Sequence, residues 1–214
     1  MPLDPPAAAA VTPRSGLLMD WGGVMTTDIF ASFSAFCVAE GLHADTVRDL
    51  FMKDPAAREL LGDFERGRLA DADFEARFAA VLGVAEPAGL IGRLFGGMGP
   101  NVELLDAVER LRAAGVKTGL LSNSWGTATY PADQLTKLFD VLVISGELDV
   151  RKPEPGIYEV AVERMGLPAD QLVFVDDLRG NLKPARALGI HTVHHVDNAT
   201  TLAALDEAFA AFTA

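Results

Sequence analysis

The chain of 214 residues is short of cysteine and of basic side chains. Its single cysteine, Cys37, excludes an internal disulfide and a cysteine-based zinc site, and its place in an apolar helical stretch indicates a small core residue. Lysine and arginine number 18 against 30 aspartates and glutamates, which gives a net charge of -12. Because nucleic acids and anionic membranes are bound through basic patches, we expect no nucleic acid and no membrane partner and favour a small substrate.

Long apolar runs are also missing from the sequence. None approaches the ~20 residues that a membrane-spanning helix requires. The first 15 residues are rich in proline and alanine and lack a basic start followed by an apolar region, so they predict a disordered extension rather than a signal peptide. We therefore expect a cytoplasmic protein, and the sequence leaves its oligomeric state open, including a homodimer.

What the sequence does contain is a regular alternation of strand and helix signals. Five short apolar runs end in polar residues or glycine, namely SGLLMD, GVKTGLLSN, DVLVISGE, QLVFVDD and IHTVHHV. Such runs are typical of buried parallel strands, and the stretches between most of them have the apolar spacing of helices. We predict an α/β protein with a doubly wound, mainly parallel, Rossmann-like sheet that binds ligands at the carboxyl edge of its strands.

One interval, residues 27–98, has amphipathic helical stretches but no strand signal. We interpret it as a helical cap subdomain inserted after the first strand, with residues 16–26 and 99–214 forming the core and GGMGP, residues 96–100, as a hinge. An inserted helical subdomain that only packs is the simpler alternative.

Residues with catalytic chemistry come at or soon after the predicted strand ends: Asp20, Ser122, Asn123, Lys152, Asp176 and Asp177. Each residue alone is typical of a turn or a helix start. Together they offer a carboxylate nucleophile, groups that bind anionic oxygens, a cation, and acids that bind Mg²⁺. Three neighbouring carboxylates repel one another unless a cation lies among them, so we predict a magnesium site.

The segments LLMDWGGVM, LLSNS, RKPEPGIYEVA and VFVDDLRGNLKPARALGI resemble, in order and spacing, the four motifs of the haloacid dehalogenase superfamily of hydrolases. The resemblance spans about residues 16–196, and the fourth segment is similar to the phosphatase domain at the N-terminus of soluble epoxide hydrolases and to related bacterial phosphatases. It implies that Asp20 is a nucleophile that forms an aspartyl-phosphate. It also implies a Mg²⁺ held by Asp20, the carbonyl of Gly22 and Asp177, with Asp176 acting directly or through water.

The same resemblance implies that Ser122 and Asn123 bind the phosphoryl oxygens. It implies that Lys152 neutralises charge in the transition state and orients Asp20. The sequence departs from the pattern at Gly22, where most phosphatases of the superfamily have an aspartate that acts as general acid and base. Such a group is worth ~100 to 10,000-fold in rate.

Three functional classes follow. A Mg²⁺-dependent phosphatase for a small phosphorylated substrate is favoured, with a good leaving group or with an acid or water supplied by the cap. A haloacid dehalogenase needs no acid at Gly22, because a halide leaves unprotonated, but the aspartate pair argues against it. A catalytically impaired protein that binds a metabolite or partner is the third class, and the presence of Asp20 and Lys152 argues against it.

Other candidate residues give weaker signals. Isolated histidines on a strand usually cap or face solvent, so a zinc role for His191, His194 and His195 is disfavoured. We expect three aromatic residues near the motifs, Trp21, Trp125 and Tyr130, mainly to pack, although they are placed to border a pocket.

Overall fold

A computed structural model describes residues 13–126 and 130–213, and its centre is a five-stranded sheet. The strands are β1 (Gly16–Met19), β2 (Lys117–Ser122), β3 (Val141–Ile144), β4 (Leu172–Asp176) and β5 (His191–His194). All pairs are parallel, in the order β3-β2-β1-β4-β5. The predicted α/β sheet is confirmed, and all five predicted apolar runs form its strands.

Five helices lie between β1 and the next helix of the core: α1 (Ile29–Ala39), α2 (Thr46–Lys53), α3 (Pro55–Glu65), α4 (Asp71–Leu82) and α5 (Leu90–Leu94). The other helices are α6 (Val102–Ala113), α7 (Ala132–Leu138), α8 (Pro155–Met165), α9 (Arg179–Ala187), α10 (Asn198–Ala208) and α11 (Ala210–Thr213). Residues 27–98, all of them described, contain no strand, which confirms the predicted helical insertion.

The sheet is covered on both faces because its strands are apolar at successive positions. Leu17 and Met19 point to one face, where they pack with residues of α6 and α10. Leu18 points to the other face and packs with residues of α8 and α9. Phe209, directly after α10, is fully buried in the first cluster, so α10 docks against the sheet.

The insertion has its own core, rich in aromatic side chains. Its buried members include Phe33, Phe64, Phe74 and Phe78, and Cys37 fills space among them, fully buried, as predicted. Local capping fixes the two helices nearest the site: Asp28 accepts a hydrogen bond from the N–H of Phe30 at 2.8 Å, and Asp54 accepts one from Ala57 at 2.8 Å.

The two linkers that join the insertion to the sheet run side by side. Thr26 forms a bridge with Pro100, and the Thr27 N–H donates to the carbonyl of Gly99 at 2.8 Å. The Gly99 N–H donates back to the Thr27 hydroxyl at 3.0 Å. These contacts fall where we placed the borders of the cap, at residues 27 and 98, and the domain limits stay a prediction.

Most of the predicted N-terminal extension, residues 1–12, lies outside the described residues. The Ser15 N–H donates to the carbonyl of Gln171 at 3.0 Å, directly ahead of β1. No helix in residues 13–126 and 130–213 is long and apolar enough to cross a membrane.

Candidate active site

A buried lysine joins two aspartates at the carboxyl edge of β1 and β4. Asp20 follows β1, Asp176 ends β4, and Lys152 comes from the loop between β3 and α8. Lys152 Nζ lies 2.7 Å from Asp20 Oδ1 and 2.7 Å from Asp176 Oδ2. All three side chains are buried. Three separate parts of the sequence therefore meet where the direction of the strand order changes, which is the usual ligand-binding crevice of such sheets.

Burial and charge act against each other in this cluster. Burial raises the pKa of Asp20 well above its usual value, although the Lys152 ammonium opposes that shift. Burial also disfavours the Lys152 ammonium, but Asp176 and Asp20 outweigh it and raise the pKa of Lys152. Lys152 is therefore a permanent cation, and any further positive charge at the site favours the ionised form of Asp20.

The backbone of Lys152 is held by the side chain of Asn123. The Lys152 N–H donates to Asn123 Oδ1 at 2.8 Å, and Asn123 Nδ2 donates to the Lys152 carbonyl at 3.1 Å. The Ser122 hydroxyl lies 2.9 Å from the Tyr130 hydroxyl, which also donates to the Asn123 carbonyl at 3.1 Å. The Asn123 amide therefore positions the lysine, and the predicted contact of Ser122 and Asn123 with phosphoryl oxygens stays a prediction.

The two adjacent aspartates differ in their surroundings. Asp176 is fully buried and accepts hydrogen bonds from the Leu178 N–H at 2.8 Å and from Asn181 Nδ2 at 3.0 Å to each of its oxygens. Asn181 therefore holds this loop through its side chain. Asp177 is half-buried, and burial together with the Asp176 charge raises its pKa to about 6. Hydrogen-bond donors hold the Asp176 carboxylate in place, whereas the Asp177 carboxylate is available to bind a cation.

Asp20, Asp176 and Asp177 each offer a carboxylate oxygen, and these oxygens all lie within 4.8 Å of one another. Hard oxygen donors at this spacing fit Mg²⁺, which prefers carboxylates, carbonyls and water. Gly22 lines the same cavity as Asp20 and Asp177. The donor set therefore fits the predicted metal.

The two glycines after Trp21 have different conformations. Gly22 has φ -68° and ψ 126°, and a Cβ built on it would approach only Ile29 Cδ1, at 3.6 Å. Gly23 has φ +74°, and a Cβ there would lie 2.8 Å from Asp177 Oδ2. Gly23 is thus required by the backbone and by the close approach of Asp177, whereas the position of Gly22 accepts a side chain.

A cavity of about 90 Å³ lies over the cluster, and residues of the insertion form part of its wall. Residues of both parts line it, among them Asp20, Gly22, Ser122, Lys152, Asp177, Glu65, Phe95 and Met98. The rings of Trp21, Trp125 and Tyr130 also line this cavity while packing against neighbours, and Trp21 lies 5.9 Å from Tyr130 between ring centroids. A larger cavity of about 520 Å³ shares Trp21, Phe95, Met98 and Trp125 with it.

Glu65, the last residue of α3, is a lining residue that the sequence analysis missed. It is 5% exposed, and its Oε2 lies 2.6 Å from Arg151 Nε and 3.4 Å from Asn123 Nδ2. Burial raises its pKa to about 7, against the opposing charges of Arg151 and Lys152. A signal was present: Glu65 lies four residues after Leu61 and eight after Ala57, on the buried face of α3.

The three histidines in and after β5 each have a different partner. His194 Nε2 lies 2.9 Å from the carbonyl of Asp177, and His195 Nδ1 lies 2.8 Å from the Thr201 hydroxyl. His191 Nδ1 lies 3.3 Å from Arg14 Nη2. None of them belongs to the acidic metal-binding group found in the described part of the chain.

The fold is a parallel α/β sheet with a helical insertion, and its site has a carboxylate, Asp20, directly after the first strand. The chain belongs to the haloacid dehalogenase-like hydrolases, a family that matches residues 16–189. A HAD family enzyme from Bacteroides thetaiotaomicron, solved in complex with magnesium and inorganic phosphate, has 22% sequence identity and a TM-score of 0.65, covering 85% of this chain and 93% of that one. This likeness supports the fold.

Two relatives match parts of the chain. Acyl-CoA dehydrogenase family member 10 of Mus musculus is 37% identical over 94 residues, which is 42% of this chain and 9% of that protein. Bifunctional epoxide hydrolase 2 of Rattus norvegicus is 32% identical over 114 residues, or 50% of this chain and 21% of that protein. The matches span about a fifth or less of these longer relatives.

Proposed function

We propose that this protein is a Mg²⁺-dependent phosphatase that hydrolyses a small phosphomonoester through an aspartyl-phosphate on Asp20. The observation that carries the proposal is the Asp20 carboxylate held at 2.7 Å by Lys152, with oxygens of Asp176 and Asp177 within 4.8 Å of its own. The magnesium and phosphate bound by the Bacteroides thetaiotaomicron enzyme support it. The aspartate pair beside the nucleophile can hold a cation. A site that displaces halide does not need such a cation.

Each residue would have a definite part in the reaction. Asp20 attacks phosphorus and the ester P–O bond breaks, after which water releases phosphate from Asp20. Lys152 neutralises the charge on the phosphoryl group, and its fixed contact with Asp20 orients the nucleophile. Ser122 and Asn123 would bind the phosphoryl oxygens. Mg²⁺, held by Asp20, Asp177 and the Gly22 carbonyl with Asp176 directly or through water, would supply charge neutralisation at the phosphoryl oxygens.

A screen of phosphorylated metabolites with and without Mg²⁺ tests the proposal, with 2-chloropropionate run alongside. We expect Mg²⁺-dependent release of phosphate and no chloride. Release of chloride would instead assign the chemistry to a dehalogenase, which has no need of an acid at Gly22. Absence of both products over a broad panel would favour a binding role.

Calorimetry tests the metal site apart from turnover. We expect Mg²⁺ to bind the wild-type protein and to bind more weakly to the Asp177→Asn variant, because a charged oxygen ligand is replaced by a neutral amide. Asp170→Asn, which changes an acid in the short helical turn before β4, is the matched control. Equal Mg²⁺ affinity of wild type and Asp177→Asn would overturn the proposed ligand set.

A further inference from the structure

We propose that Glu65 is the general acid and base of this site, in place of the carboxyl group that is missing at Gly22. This inference rests on the proposed phosphatase function and adds a catalytic residue to it. Glu65 comes from α3 of the insertion, so the proton would be supplied by the insertion and not by the sheet edge that carries Asp20.

Glu65, Asp20 and Gly22 line one cavity of about 90 Å³, which has room for more than one water molecule. A phosphoryl group bound at Asp20 would therefore share this cavity with the Glu65 carboxyl group. No aspartate, glutamate or histidine other than Asp20, Asp177 and Glu65 lines this cavity in the described part of the chain, and the two aspartates are committed to nucleophile and metal.

The contacts of Glu65 with other described residues involve one of its two carboxyl oxygens. Arg151 lines an outer groove with Arg66 and Glu154 rather than the site cavity. It therefore reaches Glu65 from the far side and engages Oε2. Asn123 donates to the same oxygen. Among the contacts of the described residues, Oε1 accepts no hydrogen bond, which leaves one carboxyl oxygen to exchange a proton with substrate or water.

The protonation of Glu65 suits this role. The charged and titratable groups that face it are Arg151, Lys152, Arg66 and Tyr130. Burial prevails over the three cations and raises the pKa of Glu65 to about 7. Both protonation states are then populated near neutral pH, which is the optimum for a group that must donate a proton in one step and accept one in the next.

Glu65 would donate a proton when the aspartyl-phosphate forms and accept one when it is hydrolysed. Asp20 forms a bond to phosphorus while the P–O bond to the leaving group breaks, and protonated Glu65 transfers its proton to the departing oxygen to give an alcohol. A water molecule then attacks the phosphorus of the aspartyl-phosphate and gives its proton to the Glu65 carboxylate. The P–O bond to Asp20 breaks, phosphate leaves, and both carboxyl groups return to their starting states.

Kinetics of Glu65→Gln with Mg²⁺ on one alkyl phosphate and on 4-nitrophenyl phosphate test the inference. For the alkyl ester we expect a loss of ~100 to 10,000-fold in kcat/KM. For the aryl ester kcat/KM should fall much less, because nitrophenolate leaves without a proton. Slow dephosphorylation should then appear as a burst of nitrophenol and as phosphoenzyme in intact-protein mass spectrometry. Glu59→Gln, an exposed glutamate of the same helix, is the control and should behave as wild type.

Two further variants separate proton transfer from a purely structural ion pair. Arg151→Gln breaks the same pair but keeps the carboxyl group, so the preference between alkyl and aryl esters should stay that of wild type. Adding Gly22→Asp to Glu65→Gln should restore part of the alkyl activity, since Gly22 has room for a side chain. Equal losses on both esters without a burst, or an Arg151→Gln variant that matches Glu65→Gln, would overturn the inference and leave the phosphatase intact. A wild-type protein that hydrolyses neither ester would overturn the proposed function itself.

Discussion

The two sides of the active-site cavity are built on different principles. On the sheet side, charged groups are fixed by directional contacts, with Lys152 between Asp20 and Asp176 and with Asn123 holding the lysine backbone. On the insertion side, aromatic rings dominate. Trp125, from the loop after β2, lies between 5.0 and 6.2 Å from the ring centroids of Phe33, Phe51, Phe64, Phe74 and Phe95.

This difference assigns different tasks to the two sides. Hydrogen bonds and ion pairs set atoms at fixed distances, which a nucleophile and a metal site need, but they keep several charges buried. Packing of rings stabilises through area and shape and leaves the walls apolar. Glu65 is the exception, because it brings a carboxyl group from the aromatic side to the charged side.

The largest effect is expected from the nucleophile on the sheet side. Asp20→Asn should abolish turnover while it leaves the fold intact, because the amide has the same shape as the carboxylate and is a poor nucleophile. Phosphate-release assays measure the loss, and circular dichroism checks the fold. An Asp20→Asn variant that kept most of its activity would move the chemistry to another residue.

The stability lost on substitution should depend on pH for the charged cluster of the sheet side but not for the aromatic core of the insertion. Lys152→Met leaves the buried carboxylates of Asp20 and Asp176 without their cation, and removing one member of a buried ion pair costs about 3–5 kcal/mol. That loss should shrink at pH 5, where protons replace the missing charge on Asp20. Phe74→Ala, in the stacked rings of the insertion, should lose about 3–5 kcal/mol at pH 5 and at pH 8 alike.

Urea unfolding at the two pH values, without Mg²⁺, measures both variants. The matched control is Phe95→Leu, which changes a half-buried ring of the same aromatic cluster and keeps an apolar side chain. A Lys152→Met loss that did not change with pH would show that packing, rather than charge, sets the stability of the sheet side.

A smaller effect concerns Glu65, whose pKa rises from 4.5 to about 7 on folding. A carboxyl group with a raised pKa contributes stability fully below pH 4.5 and loses it as the pH rises through 7. The stability of wild type relative to Glu65→Gln should therefore fall by up to about 3 kcal/mol between pH 4.5 and 7.5. Thermal or urea unfolding of both proteins across that range measures the slope. A flat difference would place the Glu65 pKa near its ordinary value.

The sequence predicted the sheet side far better than the insertion side. Apolar runs that end in polar residues specify buried strands, and parallel topology then brings Asp20, Lys152 and Asp176 together without any knowledge of side-chain packing. The contact of Glu65 with Asn123 joins residues 58 positions apart. It depends on how the helices of the insertion pack, which no local pattern specifies. The hydrogen bonds between the Asn123 side chain and the Lys152 backbone were not predicted, for the same reason.

The smallest effect distinguishes two glycines that look alike in the sequence. Gly23→Ala forces a side chain into a left-handed conformation, which costs about 1–2 kcal/mol, and places Cβ 2.8 Å from Asp177 Oδ2. Gly22→Ala occupies an ordinary extended conformation and should change stability by about 0.4–1 kcal/mol in the favourable direction. Unfolding in urea measures these differences.

Mg²⁺ affinity should also differ between the two variants. It should fall in Gly23→Ala, which displaces the proposed ligand Asp177, and stay unchanged in Gly22→Ala. Gly23→Asn separates the two causes: asparagine tolerates the left-handed conformation, so stability should partly recover, while its Cβ still meets Asp177 and Mg²⁺ binding should stay weak. If Gly23→Ala bound Mg²⁺ as wild type does, the approach of Gly23 to Asp177 would have no bearing on the metal. The need for glycine there would then come from the backbone alone, and the missing carboxyl group at Gly22 would be the one feature of the pair with a chemical consequence.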